Sequence, residues 1–184
     1  MGLKVVAAAE AVADIKSGGR VFIGSGASES NELVKAMTAR SGELRDVNVL
    51  HILTLGDAPY VDPEYAESFR HTAFFIGHNV RKAVQEGRAD FMPIFLGEIP
   101  NLFHERLPLD WALVQLSPPD KHGYCTVGVA ADAVVSAVRH ARNVVAEINP
   151  AMPPPLGHTI IHRDQPKPAG DSDHPLPALQ PEPT

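Results

Sequence analysis

Ser117, Asp120 and His122 fall within one turn-rich stretch, Ser117-Pro118-Pro119-Asp120-Lys121-His122-Gly123-Tyr124, and are the three residue types of a serine hydrolase. Such enzymes assemble their triad through the fold and raise the serine on a strained elbow of the GxSxG type. The sequence has no such elbow, and two prolines and a glycine specify a fixed loop geometry instead. Glu147 follows Val144, Val145 and Ala146 in a β-rich run. A carboxylate so placed serves either acyl chemistry or, more often, a structural pairing with an arginine or a backbone amide. Gly24-Ser25-Gly26 follows the apolar run Arg20–Ile23. Glycines at a strand-to-helix turn let backbone N–H groups approach a phosphate or carboxylate. Position 29 is Glu, so the GxGxxG dinucleotide fingerprint is not completed. Gly77-His78-Asn79-Val80-Arg81 repeats the arrangement, with Asn79 able to cap a helix and Arg81 able to bind an anion. Taken alone, Arg81 is an ordinary first-turn surface residue.

The histidines do not read as a metal centre. His158 and His162 share one face of the strand-like stretch HTIIH, where residues four apart lie ~13 Å apart at about 3.3 Å per residue. No HExxH pattern or cysteine pair accompanies them. Cys125 is the lone cysteine, which removes any intrachain disulfide and fits a reducing compartment.

These residues need a scaffold, and the spacing supplies one. The amino terminus, through Val5, Val6, Ala9, Val12, Ala13 and Ile15, carries the period of an amphipathic helix rather than a signal peptide. Strands are predicted over 20–23, 47–55, 72–76, 90–96, 111–116 and 143–148, and a hairpin into 125–127. Helices are predicted from Ser30, as cap, to Arg40, over 81–86 closed by Gly87, over 99–106 and over 131–142. Strands alternating with helices of this length predict βαβ units and a mostly parallel sheet covered on both faces. Ligands in such sheets sit beyond the carboxyl ends of the strands. That places the loops after Ile23, Leu55, Ile76, Leu116 and Ile148 along one rim. The domain is read as residues 1–162, and the Pro-rich segment 163–184 as a linker or tail.

The chain has 184 residues, 44% of them hydrophobic, and a formal charge of −6, enough for one full α/β core. The charge and the lack of a basic run argue against nucleic acid. No apolar run is long enough to span a membrane. A cytoplasmic protein is expected.

Five segments in their order resemble the acetyl-CoA hydrolase/transferase family, which includes acetate, butyrate and 4-hydroxybutyrate CoA-transferases. They are Gly24–Ala27, FFIGHNVRKAVQEGR from Phe74, ADFMPIFLGEIP from Ala89, LSPPDKHGYCTVG from Leu116 and AEINPAMP from Ala146. The resemblance implies the three-layer α/β fold of the CoA-transferase superfamily. It also implies a two-domain enzyme whose nucleophilic glutamate lies in the carboxyl-terminal half, so no catalytic residue is expected here. Substrate-site positions carried over are Gly24, Ser25, Gly26, Asn79, Arg81, Ser117, Asp120, Gly123, Tyr124, Glu147 and Asn149. The implied partners are an acyl-CoA, a small carboxylate, the missing half (as a domain or a separate subunit) and a second copy in a homo-oligomer. The CoA thioester is substrate, and neither cofactor nor metal is implied. The family pattern MPRT is replaced by Met152-Pro153-Pro154-Pro155, and a customary aspartate by His158. Ser172–Thr184 resembles the family's interdomain linker.

Overall fold

A computed structural model describes residues 4–154, 157–164 and 168–171. Its elements are β1 (Lys4–Val6), α1 (Ala8–Ala11), β2 (Arg20–Ile23), α2 (Asn31–Thr38), β3 (Val47–His51), β4 (Phe69–Ala73), α3 (His78–Gln85) and β5 (Ala89–Phe91). They are followed by α4 (Ile99–Glu105), β6 (Trp111–Leu116), β7 (Tyr124–Thr126), α5 (Val134–His140), β8 (Asn143–Ile148), β9 (Ile160–His162) and β10 (Pro168–Asp171). Eight strands form one sheet in the order β1-β10-β8-β6-β2-β3-β4-β5, with every pairing parallel. The predicted wound α/β sheet is therefore what the chain forms.

Alternation along the strands builds two cores, because successive side chains point to opposite faces. Val21 and Ile23 of β2, Val49 of β3 and Leu113 of β6 pack with Ala11, Leu33, Val34 and Val80 under α1, α2 and α3. Phe22, Leu50, Ala112, Val114 and Leu116 pack with Ile99, Phe103, Val134 and Ala137 under α4 and α5. All six residues of β6 are buried, as a central parallel strand requires. β7 and β9 pair antiparallel in a separate two-stranded ribbon.

Two expectations about the ends fail. Residues 4–6 form a strand, and α1 keeps only Ala8–Ala11 of the predicted amino-terminal helix. The apolar period survives in buried Ala11, Val12 and Ile15, but β-branched Val5 and Val6 favour pairing in a sheet. Their partner is β10, which comes from within the segment read as a linker and lies between β1 and β8. Pro168, with no N–H to donate, stands at the first position of that strand, where proline is tolerated. Residues 172–184 lie outside the described residues.

Gly128, just after the ribbon strand β7, has φ +62°, and a Cβ there would overlap Sδ and Cγ of the buried Met152. Replacing Gly128 by Ala is expected to lower unfolding free energy by about 3 kcal/mol, from backbone strain plus overpacking. A urea titration of both proteins reads this directly. A midpoint unchanged from that of the parent would disprove the tight packing of this turn.

Candidate functional site

The strand order turns back at β2. From it β3, β4 and β5 run to one side, and β6, β8, β10 and β1 to the other. In parallel sheets the crevice beyond such a reversal is where ligands bind. Here it lies between the loops that follow β2 and β6, which carry Gly24-Ser25-Gly26 and Ser117–Tyr124. The first of these loops is held at both ends: Gly24 N–H donates to Leu113 O inside β6 at 2.9 Å, and the Ser28 hydroxyl donates to Val127 O, just past β7, at 3.4 Å. On the other flank Gly26 N–H donates to Leu53 O at 2.6 Å.

Behind these loops runs a buried polar network. Glu147, fully buried near the end of β8, accepts the N–H groups of Glu32 and Leu33 on one oxygen, at 3.0 and 3.4 Å. A carboxylate from a distant strand thus occupies the amino end of α2, where free amides and the helix dipole favour negative charge. Its other oxygen accepts Gln115 Nε2 at 3.1 Å, and that same group donates to Glu29 O at 3.1 Å. Asn149 Nδ2 donates to Gln115 Oε1 at 3.3 Å, while Asn149 Oδ1 accepts the Ala151 N–H at 2.9 Å. The structural reading of Glu147 is the one its contacts describe.

Capping differs from the sequence expectation. Ser30 makes no side-chain cap for α2, since Glu147 has taken that place. Asn79 does not cap α3 either, and the N-cap is Gly77. Asn79 Nδ2 instead donates to Thr54 Oγ1 at 2.9 Å and to Gly56 O at 2.8 Å, bracing the loop after β3. Arg81 lies exposed on the first turn of α3.

Sequence reasoning missed Glu29. It is 1% exposed, and its Oε2 accepts the N–H groups of Leu55 at 3.1 Å and Gly56 at 2.7 Å. Burial is the chief influence on its carboxyl and pushes it up to about 7. The two amide bonds pull the other way, and Asp57 and Glu147 add repulsion.

The Ser117–Tyr124 loop closes on itself. Asp120 Oδ1 accepts the N–H groups of His122 and Tyr124, both at 2.8 Å, and these contacts hold its carboxyl below the usual range. Gly123 N–H donates to Asp120 O at 2.9 Å. Ser117 Oγ donates to Pro118 O and accepts the Thr126 N–H, so its partners are those of a turn and not of an activated nucleophile. Tyr124 is exposed and meets the His162 ring edge-on at 5.1 Å. Gly24, Ser25, Gly26, Asn79, Glu147 and Asn149 therefore share one connected rim with Glu29 and Gln115, while Ser117, Asp120, Gly123 and Tyr124 shape a neighbouring loop that follows β6. Phe91 at the end of β5 is exposed, as are Phe75, Phe95 and Leu96 past the ends of β4 and β5. Among the described residues, no helix is long and apolar enough to cross a membrane.

Known proteins share this fold. Residues 2–164 match the family described as acetyl-CoA hydrolase/transferase N-terminal domain. The chain is 39% identical over 179 residues to the 4-hydroxybutyrate coenzyme A transferase of Clostridium kluyveri, covering 97% of this chain and 42% of that protein. It is 43% identical over 151 residues to the succinyl-CoA:acetate/propanoyl-CoA:succinate CoA transferase of Fasciola hepatica, covering 80% of this chain and 31% of that one. Among solved structures it is similar to RipA from Yersinia pestis (TM-score 0.91, 25% identity, 98% of this chain and 45% of that one). It is also similar to a 4-hydroxybutyrate CoA-transferase from Porphyromonas gingivalis (TM-score 0.79, 31% identity, 97% and 41%). The chain thus spans less than half the length of these relatives.

Proposed function

Since the chain belongs to the acetyl-CoA hydrolase/transferase family, as a counterpart of its N-terminal domain, we propose that it forms one wall of an acyl-CoA:carboxylate exchange site and does not carry the nucleophile. In this reading the rest of the enzyme, on the same chain or a partner subunit, supplies a glutamate. That carboxylate attacks the acyl thioester and expels the CoA thiolate, leaving an acyl–glutamyl anhydride. The thiolate then attacks the glutamyl carbonyl, releasing the acid and leaving a glutamyl-CoA thioester for the incoming acid. Dividing acyl transfer in this way replaces one high barrier with two lower ones. A hydrolase would follow if water took the place of the second acid.

The observation that carries the proposal is coverage: a relative matches 97% of this chain with only 42% of its own length. The site agrees with it. The two buried carboxylates described on the rim, Glu147 and Glu29, are each bonded to two backbone amides, which lowers a carboxylate's nucleophilicity. The loops bearing Gly24, Ser25, Gly26, Asn79, Arg81, Ser117, Asp120, Gly123 and Tyr124 are assigned to lining the cleft, and Glu147 and Asn149 to bracing it. Exposed Phe75, Phe91, Phe95 and Leu96 offer apolar surface for the complementary half.

The test is label exchange. Acetyl-CoA is incubated with labelled acetate or succinate and this chain, alone and with the separately produced remainder of the Clostridium kluyveri relative. Background exchange alone and at least a hundredfold gain on addition of the remainder are expected. Substantial turnover by this chain by itself would overturn the assignment of the nucleophile elsewhere.

A further inference from the structure

We propose that Glu29 is a positioning residue of this site, its carboxyl tying the Leu55–Gly56 turn to the Gly24–Ala27 loop so that two neighbouring rim loops hold their register across the end of the sheet. The inference rests on the functional reading above for its meaning, but not for its geometry. Glu29 stands between β2 and α2 and contacts the loops after β2 and β3 and the strand β6. Its side chain accepts from Leu55 and Gly56 after β3. Its backbone oxygen accepts from Gln115 of β6, and its N–H donates to Gly26 O at 3.3 Å. Gly56 is gripped from both sides, since Asn79 of α3 holds its carbonyl while Glu29 holds its N–H. The approach requires glycine there. A Cβ on residue 56 would lie 2.8 Å from Glu29 Oε2 and 2.5 Å from Asn31 Oδ1.

A glutamine would make the same acceptor contacts without a buried charge, so the carboxyl itself needs a reason. Glu29 Oε1 is buried without a hydrogen-bond partner among the described residues. The titratable groups that bear on Glu29 are Asp57 in the turn after β3, Glu147 at the end of β8, and the phenol of Tyr60 in the 3-10 turn Pro59–Val61. All are acids, and none offsets a charge on Glu29. Burial above all, with a smaller push from Asp57 and Glu147, raises its carboxyl to about 7. Once ionised, the carboxylate holds the two amides through charge-assisted bonds, which are roughly twice as strong as neutral ones. The two bonds to the turn therefore strengthen as pH rises through about 7, even though burying the charge costs the fold as a whole more than these bonds return.

The experiment uses this chain alone, followed by amide NMR and hydrogen exchange between pH 5 and 9. In the parent, the Leu55 and Gly56 amide shifts are expected to titrate together with a midpoint of about 7, and in Glu29→Gln that titration disappears while the fold is retained. Glu29→Ala is expected to speed exchange of these two amides at least tenfold, with Val114 in β6 unchanged. Amides that do not titrate in the parent, or that keep parental protection in Glu29→Ala, would overturn the proposal. Should Glu29→Ala fail to fold, the parent and Glu29→Gln decide by themselves. In the enzyme completed with the remainder of the relative, Glu29→Gln is expected to remove a limb near neutrality from the kcat/KM profile. An unchanged profile there would count against the positioning role. Absence of any thioester exchange would instead fault the functional reading and leave the amide titration standing.

Discussion

Replacing Glu147 by alanine is expected to lower the unfolding free energy by about 4 kcal/mol, among the larger single-residue effects available to this fold. The truncation strands donors on two sides. The N–H groups of Glu32 and Leu33 lose the acceptor that occupies the amino end of α2, and a buried donor without a partner costs about 1–3 kcal/mol. Gln115 keeps only one of the two acceptors of its Nε2 group. Glu147→Gln separates charge from shape. Its oxygen still receives the α2 amides, but its own NH2 then faces the NH2 of Gln115. Gln115 has no easy way to flip, because Asn149 donates to its oxygen and Glu29 O accepts from its nitrogen. A loss of about 2 kcal/mol, half that of alanine, is expected for the amide. Guanidinium unfolding of the two variants beside the parent measures both steps. If alanine cost less than about 1 kcal/mol, the carboxylate would not be what anchors α2. Because α2 descends from the Gly24–Ala27 loop, the same variants should also loosen that loop, visible as faster exchange at Gly26.

How much of this could be read from the sequence follows from what each signal depends on. Strand and helix identity came through where burial imposes a period. WALVQL reads as a central strand because both faces of a parallel sheet are covered, and β6 is buried along its whole length. The five loops on one rim follow from parallel order alone, which sequence alternation already contains. Partners across the fold are another matter. Glu147 announces itself as a carboxylate in an apolar strand, yet nothing local says that its ligands are amides of residues 32 and 33, far away in sequence. Gln115 carried the same signal, one polar side chain inside WALVQL, and was passed over. Glu29 was noticed only as the residue that spoils a dinucleotide fingerprint. Its meaning lies in Gly56, which is seen only once β2 and β3 are side by side. The caps failed for the same reason: Ser30 and Asn79 have suitable side chains, but a distant carboxylate reached α2 first, and the Thr54–Gly56 loop claimed Asn79. β10 was missed because composition governs the reading of a Pro-rich stretch, whereas an open backbone edge on β8 can recruit four residues of almost any side chain.

Acidification is expected to destabilise the protein through a second buried pair. His51 and His71 sit on adjacent strands β3 and β4 with their rings stacked at 4.1 Å, and Tyr60 packs across both. Both are buried. Burial is the main cause that holds His71 down to about 4, against the opposing pull of the Val49 carbonyl on Nδ1. It also holds His51 well below its usual value, with repulsion from His71 adding to the effect. In the unfolded chain each histidine protonates near pH ~6.5. Between that value and the folded ones the unfolded state binds protons that the folded state refuses. Stability is thus fully present above about pH 6.5 and drains away as pH falls, by roughly 3 kcal/mol for His71 alone once pH reaches about 4. Glu29 works in the opposite sense. Its folded value is raised, so its contribution is complete below about 4.5 and is lost as pH climbs through about 7. Across the shared window the slopes oppose, with two histidines against one glutamate. The parent is therefore expected to gain stability from low pH up to pH ~6.5 and then to level off, because above that value the last of the glutamate's loss is matched by the last of the histidines' gain. Glu29→Gln should climb about twice as steeply over the same window before its plateau. Thermal unfolding at constant ionic strength from pH 4 to 9 distinguishes the two curves. A parent whose stability does not fall between pH 6.5 and 4.5 would mean that the stacked histidines meet water or a counter-charge in the folded state, and that the β3–β4 core is not sealed over them.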